Sequence, residues 1–100
     1  MNKRNVKILI QKHSHDIHRM GVKKIGLFGS FAREEQHSDS DIDLLVEFQR
    51  GKKNFDNFIR LSFLLEDILG RPVELVTPES LSPYLRPYIM EQVEYVPLTS

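Results

Sequence analysis

The chain has 100 residues, of which 40% are hydrophobic and 28% charged, and its formal net charge at pH 7 is zero. This is the size of one small domain and the composition of a globular protein, which argues against disorder. A neutral chain offers no large electropositive field, so we expect neither direct binding to nucleic acid nor binding to a membrane surface. The absence of cysteine excludes disulfides, zinc–thiolate sites and a thiol nucleophile.

Targeting signals are also missing from the N-terminal region. The apolar run Ile8–Ile10 behind the basic start is too short for a signal peptide, and no stretch has the length of a membrane span. We therefore expect one domain over residues 1–100, located in the cytoplasm.

The first third of the chain predicts a helix, a strand and a short helix. Apolar residues at helical spacing predict a helix over Asn5–Met20, which Gly21 would end. Lys23–Phe28 is predicted as a strand that runs into the turn Gly29–Ser30. Phe31–Glu35 favours one or two helical turns, because the serine before it is a preferred N-cap residue.

The middle of the chain predicts two strands around a long helix. Gln36–Ser40 is rich in turn formers and is predicted as a loop, and Asp41–Phe48 as a strand. A polar turn at Gln49–Asn54 leads into an amphipathic helix at Phe55–Leu69, whose Phe55, Phe58, Leu61 and Leu65 stripe is expected in the core. Val73–Val76 is predicted as a short strand.

The last segment predicts a helix with proline breaks. A capping hydroxyl, a proline and an acid at Thr77–Glu79 indicate a helix start. We expect this helix to be kinked or broken around Pro83 and Pro87, to end near Gln92, and to be followed by an edge strand at Glu94–Val96. The order of elements indicates an α/β (α+β) fold, a small sheet flanked by helices.

Gly29 and Ser30 lie where a strand passes into a helix. Glycine allows a phosphate to approach the backbone closely, and the following N–H groups and the serine hydroxyl can donate to it. Gly-Ser turns are common, so this pair alone is more typical of an ordinary tight turn than of a phosphate site.

Asp41 and Asp43 are spaced by two residues on a predicted strand. Residues at this spacing project from one face, so both carboxylates reach the same point in space. Two adjacent anions repel each other unless a cation lies between them, and carboxylate oxygens suit Mg²⁺ or Mn²⁺. A solvated strand face remains the alternative to a metal site.

Glu74 is an acid within the short apolar strand that follows. If that strand lies beside Asp41–Phe48, Glu74 becomes a third carboxylate next to the two aspartates. If it is a free edge strand, Glu74 is simply exposed, and the sequence leaves both interpretations open.

These residues together resemble a known family. Gly29–Ser30, ten intervening residues and then Asp41-x-Asp43 resemble the signature of the DNA polymerase β-like nucleotidyltransferases. The string GSFAREEQHSDSDIDLLVEF, and essentially the whole chain around it, is similar to the minimal nucleotidyltransferases, the antitoxins paired with HEPN-domain toxins. The resemblance implies a polymerase β-like fold with a small mixed β-sheet.

The resemblance also implies a site and a reaction. In that family two motif aspartates and a third strand carboxylate hold Mg²⁺, usually two ions, and ATP is the usual nucleotide. The implied catalytic residues and metal ligands are Asp41, Asp43 and Glu74. Antitoxin members are implied to transfer AMP to a tyrosine hydroxyl of the partner toxin, forming a hetero-oligomer with it and blocking its RNase activity.

The resemblance assigns the phosphates to a second group of residues and also shows two departures. Gly29 and Ser30 would hold the β- and γ-phosphates, and Arg33 is a further candidate for contact with a phosphate. Glu34 stands where relatives usually have glycine, and Glu74 where they usually have aspartate. Both departures leave open an antitoxin that neutralises its toxin by direct binding, with weak or no catalysis.

Two further groups of side chains, histidines near the N-terminus and tyrosines near the C-terminus, each allow a structural and a functional interpretation. His13, His15 and His18 are more typical of a solvated helix face than of a metal site, since helical spacing brings only the last two together. The tyrosines Tyr84, Tyr88 and Tyr95 favour equally an exposed contact for a partner and core packing of the last helix.

Overall fold

The computed structural model describes residues 1–98 and contains a four-stranded mixed sheet. The strands are β1 (Val22–Phe28), β2 (Ile42–Phe48), β3 (Val73–Val76) and β4 (Glu94–Val96), in the spatial order β3-β2-β1-β4. β1 pairs antiparallel with β2 and β4, whereas β3 pairs parallel with β2. The predicted small mixed sheet is confirmed, and the tail strand lies at the predicted edge.

Within residues 1–98 five α-helices flank this sheet: α1 (Lys3–Lys12), α2 (Ser14–Arg19), α3 (Gly29–Ala32), α4 (Phe55–Leu69) and α5 (Arg86–Gln92). α3 begins two residues before the predicted Phe31 and makes only about one turn, so the prediction of Ser30 as its N-cap is wrong. Within residues 1–98 none of the helices combines the length and the apolar character that crossing a bilayer requires.

The prediction of one continuous helix over Asn5–Met20 is wrong, because the helix breaks at His13. The backbone there has φ −106° and ψ 19°, and the ring nitrogen Nδ1 lies 3.0 Å from the carbonyl oxygen of Leu9. A side chain bonded to the preceding turn competes with the regular helical ladder. α2 restarts at Ser14 and still buries Ile17, so the apolar spacing was correct although the helix is in two pieces.

The core lies on one face of the sheet, beneath α1, α2 and α4. Alternate strand residues point into it, as the period of two requires. The strand members of this core are Val22, Ile25, Leu27, Ile42, Leu44, Val46 and Val96, and a register shift between Val22 and Lys24 interrupts the alternation in β1. The opposite face carries the other residues of each strand, including Asp43 and Glu74. Leu45 of that face is also fully buried, so the sheet is covered there beyond the site.

The α4 stripe is buried only in part. Leu61, Leu65 and Leu69 are buried and Phe58 is half-buried, but Phe55 is 76% exposed. The prediction of a core position for Phe55 is therefore wrong. Phe55 is the first residue of α4 and, with Phe58, lines a surface cleft of about 410 Å³.

The predicted helix after Thr77 is a single 3₁₀ turn, Pro78–Ser80, and the chain extends again at Leu81. α5 starts only at Arg86, with Pro87 in its first turn. Proline lacks an N–H and has a helical φ, so at this position it starts a helix instead of kinking one.

Candidate functional site

Strand pairing brings two of the three candidate carboxylates side by side. Asp43 of β2 lies opposite Phe28 of β1 on one side and Glu74 of β3 on the other. Because the β2–β3 pair is parallel and in register, Asp43 and Glu74 project from the same face. The structure combines the two placements that the sequence left open for Glu74: β3 lies beside β2, so Glu74 is next to Asp43, and β3 is an edge strand on which Glu74 is exposed.

The Gly29 backbone packs directly against the Asp43 carboxyl. Gly29 has φ +75°, and a Cβ built on it would collide with Asp43 Oδ2 and lie 2.8 Å from Asp43 Cγ. Any residue other than glycine would thus meet both an unfavourable φ and a carboxyl group. The turn and Asp43 share one small volume.

Ser30 follows in the same turn and is half-buried. Its backbone carbonyl accepts a hydrogen bond from the Glu35 N–H at 2.8 Å, which closes the short turn after α3. No hydrogen-bonding group of residues 1–98 contacts the Ser30 hydroxyl, so that hydroxyl can donate to a ligand.

Arg33 lies near the site but is engaged by neighbouring side chains. Its Nε donates to Glu35 at 3.0 Å and its Nη1 donates to Gln92 Oε1 at 3.2 Å. The same Gln92 oxygen accepts the Gly29 N–H at 3.1 Å. Gln92, at the end of α5, was missed in the sequence because nothing local marks a glutamine 63 positions away as a partner of Gly29.

Asp43 is strongly affected by its surroundings. Burial first, and then a hydrogen bond and electrostatic repulsion from Glu74, raise the pKa of Asp43 to about 6. Asp41 adds to this repulsion, and Arg33 opposes it. Crowded carboxylates of this kind hold a proton in the absence of a cation and release it when a cation binds.

Asp41 is placed less rigidly than the sequence predicts. β2 begins at Ile42, so Asp41 is an exposed residue of the preceding loop and not the first strand residue. Among residues 1–98 no three His, Asp or Glu side chains are arranged as a ready cation cluster. The donor chemistry nevertheless fits a hard divalent cation, because Asp43 and Glu74 adjoin on β2 and β3, Asp41 acts electrostatically on Asp43, and the pKa of Asp43 is raised.

Glu34 occupies the position where the family usually has glycine, and it has a positive φ of 58°. A side chain with Cβ pays about 1–2 kcal/mol in this conformation, and glycine does not. Glu34→Gly is therefore expected to raise the free energy of unfolding by about 0.5–1 kcal/mol, after the larger chain entropy of unfolded glycine is subtracted. Urea unfolding at pH 7 measures this difference.

The matched control for that change is Glu34→Ala, which removes the charge and keeps the Cβ. We expect Glu34→Ala to raise the free energy of unfolding much less than Glu34→Gly does. Equal stabilisation by alanine and glycine would show that charge repulsion, and not backbone conformation, disfavours Glu34.

Comparison with known proteins places this site in a family. Residues 6–96 match the sequence model of the nucleotidyltransferase domain. The chain is 41% identical over 90 residues to a Methanocaldococcus jannaschii protein with the provisional name protein adenylyltransferase, covering 90% of this chain and 88% of the relative. It is 36% identical over 92 residues to the protein adenylyltransferase MntA of Thermococcus cleftensis, covering 91% and 92%.

Solved structures agree with the sequence matches. One, provisionally described as a minimal nucleotidyltransferase, superposes with a TM-score of 0.80 at 34% identity, covering 98% of this chain and 97% of the other. The crystal structure of a toxin–antitoxin with AMP-PNP superposes with a TM-score of 0.68 at 26% identity, covering 100% of this chain and 76% of the other. With the Gly-Ser turn packed on a strand-borne aspartate, the chain belongs to the nucleotidyltransferase domain family and is a nucleotidyltransferase of the minimal, polymerase β-like type.

Proposed function

We propose that this protein is a Mg²⁺-dependent protein adenylyltransferase that transfers AMP from ATP to a tyrosine hydroxyl of a HEPN-type RNase toxin, and so acts as its antitoxin. The observation that carries the proposal is the packing of the Gly29 backbone on the Asp43 carboxyl. It brings a phosphate-binding turn and a cation-binding carboxylate together, as nucleotidyl transfer requires.

The turn would hold the triphosphate. The Ser30 hydroxyl and the backbone of the turn donate to the β- and γ-phosphates, which can approach closely because Gly29 has no side chain. Arg33 reaches a phosphate once its guanidinium leaves Gln92 and Glu35, both of which it contacts at the protein surface. Exposed ion pairs of this kind contribute little to stability, so replacing these contacts of Arg33 with a phosphate contact costs little free energy.

The carboxylates Asp41, Asp43 and Glu74 would hold Mg²⁺. The bound cation supplies Lewis-acid stabilisation of the charge that develops on the phosphates and the attacking oxygen. Asp43 contributes as an anion only after losing its proton, and its pKa of about 6 makes that loss easy at neutral pH. Two cations match the usual arrangement for in-line displacement at phosphorus.

The transfer is a nucleophilic substitution at the α-phosphorus of ATP. The tyrosine oxygen forms a bond to the α-phosphorus of ATP, the bond from that phosphorus to the bridging oxygen breaks, and pyrophosphate leaves. The phenolic proton passes to a base, and we assign that role to Glu74, which is exposed on β3 beside Asp43. An exposed carboxylate is accessible to a hydroxyl brought by a second protein.

Relatives support the nucleotide and the acceptor class. The Thermococcus relative is named a protein adenylyltransferase, and the toxin–antitoxin relative holds AMP-PNP, an analogue of ATP. The HEPN identity of the partner and the tyrosine acceptor follow from the family resemblance of Gly29–Phe48.

The direct test mixes the protein with α-labelled ATP, Mg²⁺ and the co-purified partner. We expect label on the partner, and its loss in the Asp41→Asn/Asp43→Asn double variant. Asp39→Asn, which removes one exposed acid from the same loop, is the control and should retain transfer. Unlabelled partner in the presence of the intact protein would contradict the proposal.

An alternative function is neutralisation by direct binding, and one observation favours it. Tyr84, Leu85 and Tyr88, around the start of α5, are 85%, 56% and 70% exposed, although the sequence left core packing open for this segment. Exposed aromatic side chains are frequent at protein interfaces. If the Asp41→Asn/Asp43→Asn variant still protects its partner at equal dose, binding and not transfer is the antitoxin activity.

A further inference from the structure

Arg71, just before β3, holds the loop that leads to the two motif aspartates. Its Nη2 atom donates to three backbone carbonyl oxygens of this loop, those of His37 at 3.3 Å, Ser38 at 2.8 Å and Ser40 at 3.1 Å. Hydrogen bonds from a charged donor are the stronger kind. A single guanidinium thus binds three carbonyl groups of the turn that ends directly before Asp41.

The same side chain also contacts the segment that follows the Gly-Ser turn. The guanidinium carbon lies 5.4 Å from the centroid of the Phe31 ring, a cation–π distance, and Phe31 is fully buried two residues after Gly29. Because the ring is fixed in the core, it gives Arg71 a rigid platform.

A backbone bond next to Arg71 completes the connection. The Ile42 N–H donates to the Pro72 carbonyl oxygen at 3.0 Å, at the point where β2 and β3 begin to pair. Arg71 therefore touches, or directly adjoins, all three segments that carry site residues: the Gly29–Ser30 turn, the Asp41 loop and the Glu74 strand.

We propose that Arg71 is a positioning residue for nucleotidyl transfer, which fixes Asp41 relative to Asp43 and the Gly-Ser turn; this inference rests on the proposed function. Asp41 lies outside the strand and is exposed, so the sheet alone does not set its position. The three carbonyl contacts to the loop restrict it instead. Holding a catalytic group in its reactive position before the substrate binds increases the reaction rate.

Arginine suits this position better than lysine. A lysine is one bond shorter, so its ammonium would stop near the guanidinium carbon and could not reach all three carbonyls. It also lacks the planar group that lies over Phe31. The Arg71 Nε is buried and finds no acceptor in residues 1–98. This indicates that Arg71 holds the loop through its Nη2 atom and not through the whole guanidinium group.

The test compares Arg71→Met and Arg71→Lys with the unsubstituted protein, and with Arg4→Met as a control for loss of an exposed positive charge. Methionine keeps an unbranched stem that ends at about the position of the Arg71 Nε, and it removes both the donors and the positive charge over the Phe31 ring. We expect Arg71→Met to lower the transfer rate at saturating ATP by about 10- to 100-fold, as small misplacements of catalytic groups do, with a smaller change in KM. Arg71→Lys should be intermediate, and Arg4→Met unchanged.

Amide hydrogen exchange on the protein without nucleotide separates positioning from general destabilisation. The Ser40 N–H and the Ile42 N–H are bonded within and beside the loop, whereas the Leu27 N–H lies in the core strand β1. In Arg71→Met we expect exchange at residues 40 and 42 to accelerate at least about tenfold, from loss of charged hydrogen bonds, with residue 27 unchanged.

Three results would overturn the inference. They are an unchanged transfer rate in Arg71→Met, unchanged exchange at residues 40 and 42, and uniform acceleration that includes residue 27. Absence of transfer in the unsubstituted protein is a different failure, since it removes the proposed function itself. Measuring both proteins in parallel keeps the two failures apart.

Discussion

Asp43→Asn is expected to remove adenylyl transfer and, at the same time, to make the cation-free protein more stable at neutral pH. Loss of this anion should lower the transfer rate by about 100- to 1000-fold, the scale on which removal of one charge-stabilising group acts in other enzymes. Stability should move in the opposite direction, because Asp43 is crowded by Glu74 and Asp41.

The sign of the stability change follows from proton binding. The pKa of Asp43 rises from an ordinary 3.8 to about 6 on folding, so between these pH values the folded state binds more protons than the unfolded state. Its contribution to stability is complete below about pH 4 and is lost as pH rises through 6. We expect a loss of about 1–2 kcal/mol, which allows for screening at this half-buried position.

Asparagine carries no charge at any of these pH values, and its amide can still donate to Glu74. Urea unfolding with a chelator at pH 4 and pH 7 should therefore show the variant about 1–2 kcal/mol more stable at pH 7 and nearly equal at pH 4. Asp67→Asn, an exposed acid on α4, is the control and should match the unsubstituted protein at both pH values. Lower stability of Asp43→Asn at pH 7 would refute repulsion at the site.

Gly29→Ala is expected to have the second large effect. At φ +75° a Cβ costs about 1–2 kcal/mol, and its collision with the Asp43 carboxyl adds an overpacking cost of about 1–3 kcal/mol. The free energy of unfolding should fall by roughly 2–5 kcal/mol, as the sum of those two costs. Because the collision also displaces Asp43, Mg²⁺–ATP binding should be lost in calorimetry.

Gly51→Ala separates the two contributions. Gly51 has a similar φ of +80°, but a Cβ there would have no atom within 4 Å. Its replacement should therefore cost only the backbone part, about 1–2 kcal/mol, and leave nucleotide binding intact. Equal losses of stability in the two variants would mean that the Gly29 turn does not press on Asp43.

The sequence by itself determined the elements whose signals are local. Strand β2 was predicted to within one residue, because alternating apolar residues between turn formers produce a strand in nearly any context. Helix α4 was predicted to the residue, from its apolar spacing after the polar turn at Gln49–Asn54, and the structure shows Asn54 as its N-cap and Gly70 as its left-handed C-cap. The Gly29–Ser30 and Asp41–Asp43 spacing was likewise readable, because the motif lies within fifteen contiguous positions.

Only the tertiary structure decided features that depend on distant partners. Gln92 and Arg71 bond to groups 63 and up to 34 positions away, and no local pattern encodes such pairs. The exposure of Phe55 depends on which elements pack against the first turn of α4, and the break at His13 coincides with a side-chain bond that competes with the helix.

The electrostatics of the site also depend partly on the sequence and partly on the tertiary structure. The sequence placed two acids two residues apart, but it could not set their protonation. That depends on the burial of Asp43 between β1 and β3 and on the in-register pairing that brings Glu74 beside it. Local covalent order fixes which groups are present, whereas distance and dielectric, which only folding sets, fix their charge.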